Sequence, residues 1–195
     1  MERDRKATEQ RLIDTVGEMI AEEGFEKLGV NAIANRAGVS KILIYRYFNS
    51  VNGLVSAYIQ QNDFWINFPQ KLPAKEEMRS FLKKMFYEFI NKLKSSPARK
   101  RLYRWELSAS NPMIDNLKAQ RETNGLNLIK EVSHIMGYPF KEVAAIASII
   151  TSSITYFVML EEFCPVYNGI ELNSPSGWEQ IYTGIEEIID HAFLN

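Results

Sequence analysis

The stretch VNAIANRAGVSKILIYRYFN, Val30 to Asn49, decides how the chain is read. It reads as a short helix, a tight turn and a second short helix. Ala34 is small where two crossing helices must approach closely, Gly38 four residues later can take a positive φ in the turn, and Ser40 can cap the second helix. Ile33, Val39 and Ile44 are spaced to form a buried seam. That is the spacing of a helix-turn-helix, whose second helix is the part that enters a DNA major groove.

Charge supports this reading independently of spacing. No Asp or Glu occurs from Lys27 to Asn62, whereas Lys27, Arg36, Lys41 and Arg46 do, so the local net is four positive charges. Residues 1–26 carry four bases against eight acids, and residues 142–195 carry eight acids and no Lys or Arg, so the chain is electrically polarised. An acid-free stretch suits a phosphate surface. Over all 195 residues, 23 Lys+Arg against 24 Asp+Glu leave a formal charge of −1, which excludes a general basic coat or a polybasic membrane binder. Any nucleic-acid surface is therefore local. The 46% hydrophobic content is enough for a real core and argues against intrinsic disorder.

Outward from the motif, helical spacing recurs and strand signals are scarce, so the expected fold class is all-α with about nine helices. Leu12, Ile13, Val16, Met19 and Ile20 form one stripe, stopped by Gly24 with Phe25 as an apolar lid. Pro69 to Pro73 interrupts the pattern before a second stripe from Met78 to Leu93. Ser96-Pro97, Asn111-Pro112 and Ser174-Pro175 each pair a capping side chain with a proline suited to the first helical turn. Gly137-Tyr138-Pro139 closes one helix, another runs from Phe140 to near Cys164-Pro165, and Tyr167-Asn168-Gly169 reads as loop. The last helix has the stripe Trp178, Ile181, Tyr182, Ile185, Ile188, Ile189.

Val143 to Leu160 contains no charge over eighteen residues, the minimum for a membrane span. Its hydroxyl residues and its lack of flanking Lys or Arg favour a buried helix instead, so no membrane partner is expected. The N-terminus has no apolar signal region, and one cysteine cannot form an internal disulfide, which points to a reducing cytoplasm. Cys164, His134 and His191 are too few and too scattered for a metal site. The sequence carries no H-E-x-x-H, Walker, G-x-S-x-G or dinucleotide glycine motif, and no acid or nucleophile stands at triad spacing near His134. No enzyme activity, cofactor or metal is expected.

With these residues in view, Gly24-Phe25, Val30 to Ala34, Ala37-Gly38-Val39-Ser40, Tyr45, Tyr47-Phe48 and Leu54 resemble the N-terminal domain of the tetracycline-repressor (TetR) family over about residues 8–56. The resemblance implies a DNA-binding domain at 1–56 and a helical effector-binding and dimerisation domain at 57–195. It makes Val30 to Ala37 the supporting helix and Ser40 to Tyr47 the recognition helix. Tyr45 is then the phosphate contact, Lys41 a reader of guanine O6/N7, and Ile42 or Leu43 a contact to a thymine methyl. Asn31, Ser40, Arg46 and Tyr47 complete the candidate DNA face, and the arm of Arg3, Arg5 and Lys6 is a further candidate for backbone contact. The chain departs from the family pattern at Leu28, Gly29, Ile42, Leu43 and Val51, where hydroxyl, small or ammonium side chains are common. Fewer phosphate donors imply a weaker salt dependence.

Specific binding by one such motif normally needs a two-fold partner. Small residues from Ala144 to Ser153 and the stripe of the last helix suit an intersubunit bundle, with Ser152, Tyr156, Ile181, Ile185 and Ile188 as candidate homodimer contacts. Both helices also suit closure of a protomer core. Trp65, Phe81, Met85, Phe86, Phe89, Tyr103, Trp105 and Met113 form an aromatic and methionine set that suits a small-molecule effector pocket or an ordinary core. Arg99-Lys100-Arg101 with Arg104 reads as a solvated helix face, or else as a site for an anionic effector or an extra DNA contact. The expected function is a dimeric regulator that leaves a palindromic double-stranded operator when a small apolar or amphipathic effector binds. The alternative is a helical ligand-binding or interaction module whose helix-turn-helix no longer reads DNA.

Overall fold

The computed structural model describes residues 2–68, 71–108 and 111–193, with the side chains of residues 2 and 3 excepted. Pro69 and the Arg3 side chain, both named above, lie outside the described residues. Nine α-helices occur among them: α1 (Glu2–Glu23), α2 (Val30–Ala37), α3 (Lys41–Phe48), α4 (Val51–Asn62), α5 (Lys75–Lys94), α6 (Pro97–Ser108), α7 (Pro112–Met136), α8 (Phe140–Leu160) and α9 (Pro175–Ala192). A 3-10 turn, Phe25–Lys27, follows α1. The fold is all-α apart from one small hairpin, β1 (Val166–Tyr167) paired antiparallel with β2 (Ile170–Glu171). Asn168 (φ 50°) and Gly169 (φ 81°) make its turn, where the sequence reads as loop.

Local chemistry sets the helix ends. The Gly24 N–H donates to the Met19 and Ile20 carbonyls at a positive φ, ending α1. Ser174 Oγ accepts from the Gly177 N–H at 3.0 Å with Pro175 in the first turn, and Asn111 Oδ1 accepts from Met113 and Ile114 N–H, opening α9 and α7.

The chain divides into two compact units. One holds residues 1–67 and 96–119, the other 68–95 and 120–195. The expected boundary at residue 56 falls inside α4, and the first unit takes in the rest of α4, α6 and the start of α7 as well. Ala98 and Leu102 of α6 and Ile114 and Leu117 of α7 share one apolar core with Leu12, Val16, Met19 and Ile20 of α1, Ile33 and Ile44 of the motif, and Leu54 and Ile59 of α4. Burying each large aliphatic side chain of this kind is worth roughly 1.5–3 kcal/mol.

In the second unit α5 packs against α8 and α9. Met78, Leu82, Phe89 and Leu93 of α5, Val143, Ile150, Ile154 and Val158 of α8, and Trp178, Ile181, Ile185 and Ile189 of α9 are buried. Lys94 Nζ lies 3.9 Å from the centre of the Trp178 ring and 3.4 Å from Glu161, whose carboxylate also accepts from the Trp178 indole N–H at 3.1 Å. That knot joins the end of α5 to the start of α9. The expectation that α8 is a buried helix holds for one face only, since 22% of its most apolar window is buried.

Candidate nucleic-acid interface

The helix-turn-helix is built as its turn residues require. Gly38 adopts φ 65°, ψ 35°, its N–H donates to the Asn35 carbonyl, and the Val39 N–H reaches back to Ala34. This paired closure stops α2 at Ala37 and turns the chain sharply. Ser40 then caps α3, its Oγ accepting from the Ile42 N–H at 3.4 Å, so its hydroxyl serves the helix and α3 proper begins at Lys41. Ile33 and Ile44 are fully buried and Val39 packs against the same core, which fixes the roll of α3 about its axis. Asn49 (φ 64°) ends α3, and Gly53 of α4 lies so close to the Phe48 carbonyl that a side chain there would collide with it.

With Ile44 inside, Lys41, Ile42, Tyr45 and Arg46 point outward as a stripe at i, i+1, i+4 and i+5. Ile42 is 68% exposed and Tyr45 51%. Asn31 on α2 is also exposed, whereas Leu43 is half-buried. Tyr47 is half-buried too, and the Arg5 guanidinium covers its ring at 5.2 Å from the centroid while donating to Glu9 at 2.7 Å. The basic arm therefore belongs to α1, and Arg5 already has two partners.

The charge count needs correcting at one position. Arg36 lies 2.7 Å from Glu22, 3.4 Å from Glu23 and 3.6 Å from Glu18, all on α1. Its pKa is raised, chiefly by the hydrogen bond to Glu22 and then by the negative charges of Glu22, Glu18 and Glu23. Among the described residues no carboxylate pairs with Lys41 or Arg46. The outward positive charge of the motif is thus carried by α3. The sequence shows the acids at 18, 22 and 23 on one side of α1, but only the packing of α1 on α2 brings Arg36 to them.

The aromatic and methionine set is divided between the two units. Trp65, Tyr103, Trp105 and Met113 belong to the first, where Trp105 stacks on Phe25 (4.1 Å, 9°) and Met113 packs on the core. Phe81, Met85, Phe86 and Phe89 belong to the second. There Met85 and Phe86 line a cavity of about 50 Å³ with Leu82, Val132, Ile146 and Ile150 among its apolar walls. Sequence reading missed the α7 and α8 walls because aliphatic side chains at helical spacing carry no signal beyond core.

The run on α6 is not a solvated face. Lys100 is 9% exposed, Arg99, Arg101 and Arg104 are half-buried, and Arg99 Nε donates to the Asn62 carbonyl at 3.0 Å. Three consecutive helical residues span about 200° of the helix, so a helix packed on α1 must turn one of them inward.

Of the candidate dimer contacts, Ile181 and Ile185 lie in the core of their unit, on the stripe that packs toward α5. Ser152, Tyr156 and Ile188 are exposed. On α8 the exposed positions Ala145, Ile149, Ser152 and Tyr156 follow spacings of four, three and four and so lie along one face of the helix.

Residues 12–58 match the family described as bacterial regulatory proteins, tetR family. No curated protein matches the chain in sequence. Among solved structures, a TetR family transcription regulator from Marinobacter aquaeolei VT8 aligns with a TM-score of 0.65 at 16% identity, covering 96% of this chain and 98% of that one. A TetR-like transcriptional regulator from Rhodococcus sp. RHA1 gives 0.62 at 18%, covering 96% of each. NalD, the secondary repressor of the MexAB-OprM multidrug efflux pump in Pseudomonas aeruginosa, gives 0.61 at 13%, covering 93% and 96%. Residues 12–58 thus carry the sequence pattern of that family's N-terminal domain, and the chain has the fold of the TetR-like transcriptional regulators it aligns with.

Proposed function

We propose that the protein is a homodimeric repressor acting in the cytoplasm, bound to a palindromic double-stranded operator through α3 and released by a small apolar effector. The observation that carries the DNA reading is the outward stripe of Lys41, Ile42, Tyr45 and Arg46, exposed on a helix whose roll is locked by buried Ile44. Lys41 and Arg46 supply charge, and the Tyr45 hydroxyl supplies a hydrogen bond to phosphate that positions without specifying.

The exposed face of α8, with Ile149 and Tyr156, supports a second copy as its occupant. An 18-residue apolar window only 22% buried in the protomer has far more surface to cover than a solvated helix tolerates. A two-fold pair of α8 and α9 helices would supply the second copy that a palindromic operator calls for.

The apolar cavity of the second unit supports an uncharged effector. Its volume of about 50 Å³ is well below the roughly 300–1,000 Å³ of drug-sized sites, so such a ligand binds a widened state and shifts the population toward it. Repression has a precedent of fold in NalD. The neutralised Arg36 and the aliphatic Ile42 are what favour the alternative, a module that no longer reads DNA. Enrichment of duplexes from a random pool by the intact protein, followed by competition with a panel of apolar compounds, separates the two. A regulator enriches a palindrome and a compound releases it; a module enriches nothing.

A further inference from the structure

The outward side of α3 holds hydrogen-bond donors and one aliphatic group. Lys41–Phe48 contains no Asp, Glu, Asn, Gln, Ser or Thr, so its exposed chemistry is the Lys41 ammonium, the Arg46 guanidinium, the Tyr45 hydroxyl and the bare side chain of Ile42. In the major groove adenine is matched by a side chain that both accepts and donates, and cytosine by one that accepts. Guanine presents two acceptors, and thymine presents an acceptor beside its methyl group. Lys41 and Arg46 are therefore matched to guanine and Ile42 to the thymine methyl, whereas the Tyr45 hydroxyl, which can accept as well as donate, excludes no base.

Ile42 is the second residue of the helix, at the N-terminal turn where recognition helices meet base edges. It lies between Lys41 and the Tyr45 turn and is 68% exposed, while Ile44 two positions on is fully buried. Isolated exposed aliphatics are ordinary on protein surfaces. This one has a specific neighbourhood, flanked on the same exposed stripe by the Lys41 ammonium and the Tyr45 phenol.

We propose that Ile42 reads the 5-methyl group of a thymine, and that the first turn of α3 thereby selects half-sites carrying thymine on the contacted strand. The inference rests on α3 entering the major groove, as proposed above.

The test uses the intact protein and a duplex it enriches from a random pool. Each thymine is replaced singly by deoxyuridine, which keeps the pairing and O4 and removes only the methyl. Loss of one buried methyl-sized group weakens binding about fourfold. One thymine in each half-site is expected to show that loss with the wild-type protein, and the loss is expected to shrink below about 1.5-fold in Ile42→Ala and to persist in Ile42→Val. Ile42 is largely exposed, so equal thermal midpoints for the three proteins exclude misfolding as the cause. The proposal is overturned if no single thymine is sensitive, or if Ile42→Ala keeps the full sensitivity. Failure to enrich any duplex would instead defeat the DNA reading itself, and is recognised before any thymine is replaced.

Discussion

Arg36 and Arg46 count alike in the sequence, and replacing each by glutamine separates them. Arg36 sits within 3.6 Å of three carboxylates of α1, whereas Arg46 stands exposed on α3 with no carboxylate partner among the described residues. A phosphate contact releases counterions, giving log K against log salt a slope of about −0.9 for each phosphate neutralised. With one copy in each half-site, Arg46→Gln should flatten that slope by about 1.8, and Arg36→Gln should leave it within about 0.3 of wild type. Fluorescence anisotropy titrations of an enriched duplex over about 50 to 300 mM salt give both slopes. Equal flattening by the two variants, or none by Arg46→Gln, would refute the assignment of the outward charge to α3.

Gly38→Ala should cost about 1 kcal/mol, since φ is 65° while nothing stands within 4 Å of the added methyl; Gly38→Asn should cost less. Gly53→Ala meets the Phe48 carbonyl and should lower the chemical-denaturation midpoint further than Gly38→Ala; the reverse order contradicts the geometry. Tyr156→Glu combined with Ile149→Glu should convert dimer to monomer in sedimentation without lowering the thermal midpoint of the monomer fold, because both side chains are exposed; a persisting dimer removes α8 as the interface.

Capping chemistry made much of the fold legible. Gly38, Ser40 and the proline pairs at 96–97, 111–112 and 174–175 act on the backbone one turn away, so their effect is local and can be read from neighbours in sequence. The hairpin at Val166–Glu171 was hidden because strands of two residues are too short to show alternation, although Asn168-Gly169 is a turn signal. Partner-dependent features were also hidden. The neutralisation of Arg36 and the burial of Lys100 depend on which helix packs against which, and composition alone does not say that Trp105 lies against Phe25 while Met85 and Phe86 line a cavity in the other unit. On α3 the stripe was readable only as a set of types; its roll required the burial of Ile44.

Hydroxyl-radical footprinting of the intact protein on an enriched duplex shows where α3 and its two-fold mate lie on the DNA. Two protected, symmetry-related backbone segments about 34 Å apart along the helix axis are expected, both weakened by Tyr45→Phe. A single protected segment, or protection unchanged by substitutions at Lys41, Tyr45 and Arg46, would contradict that placement.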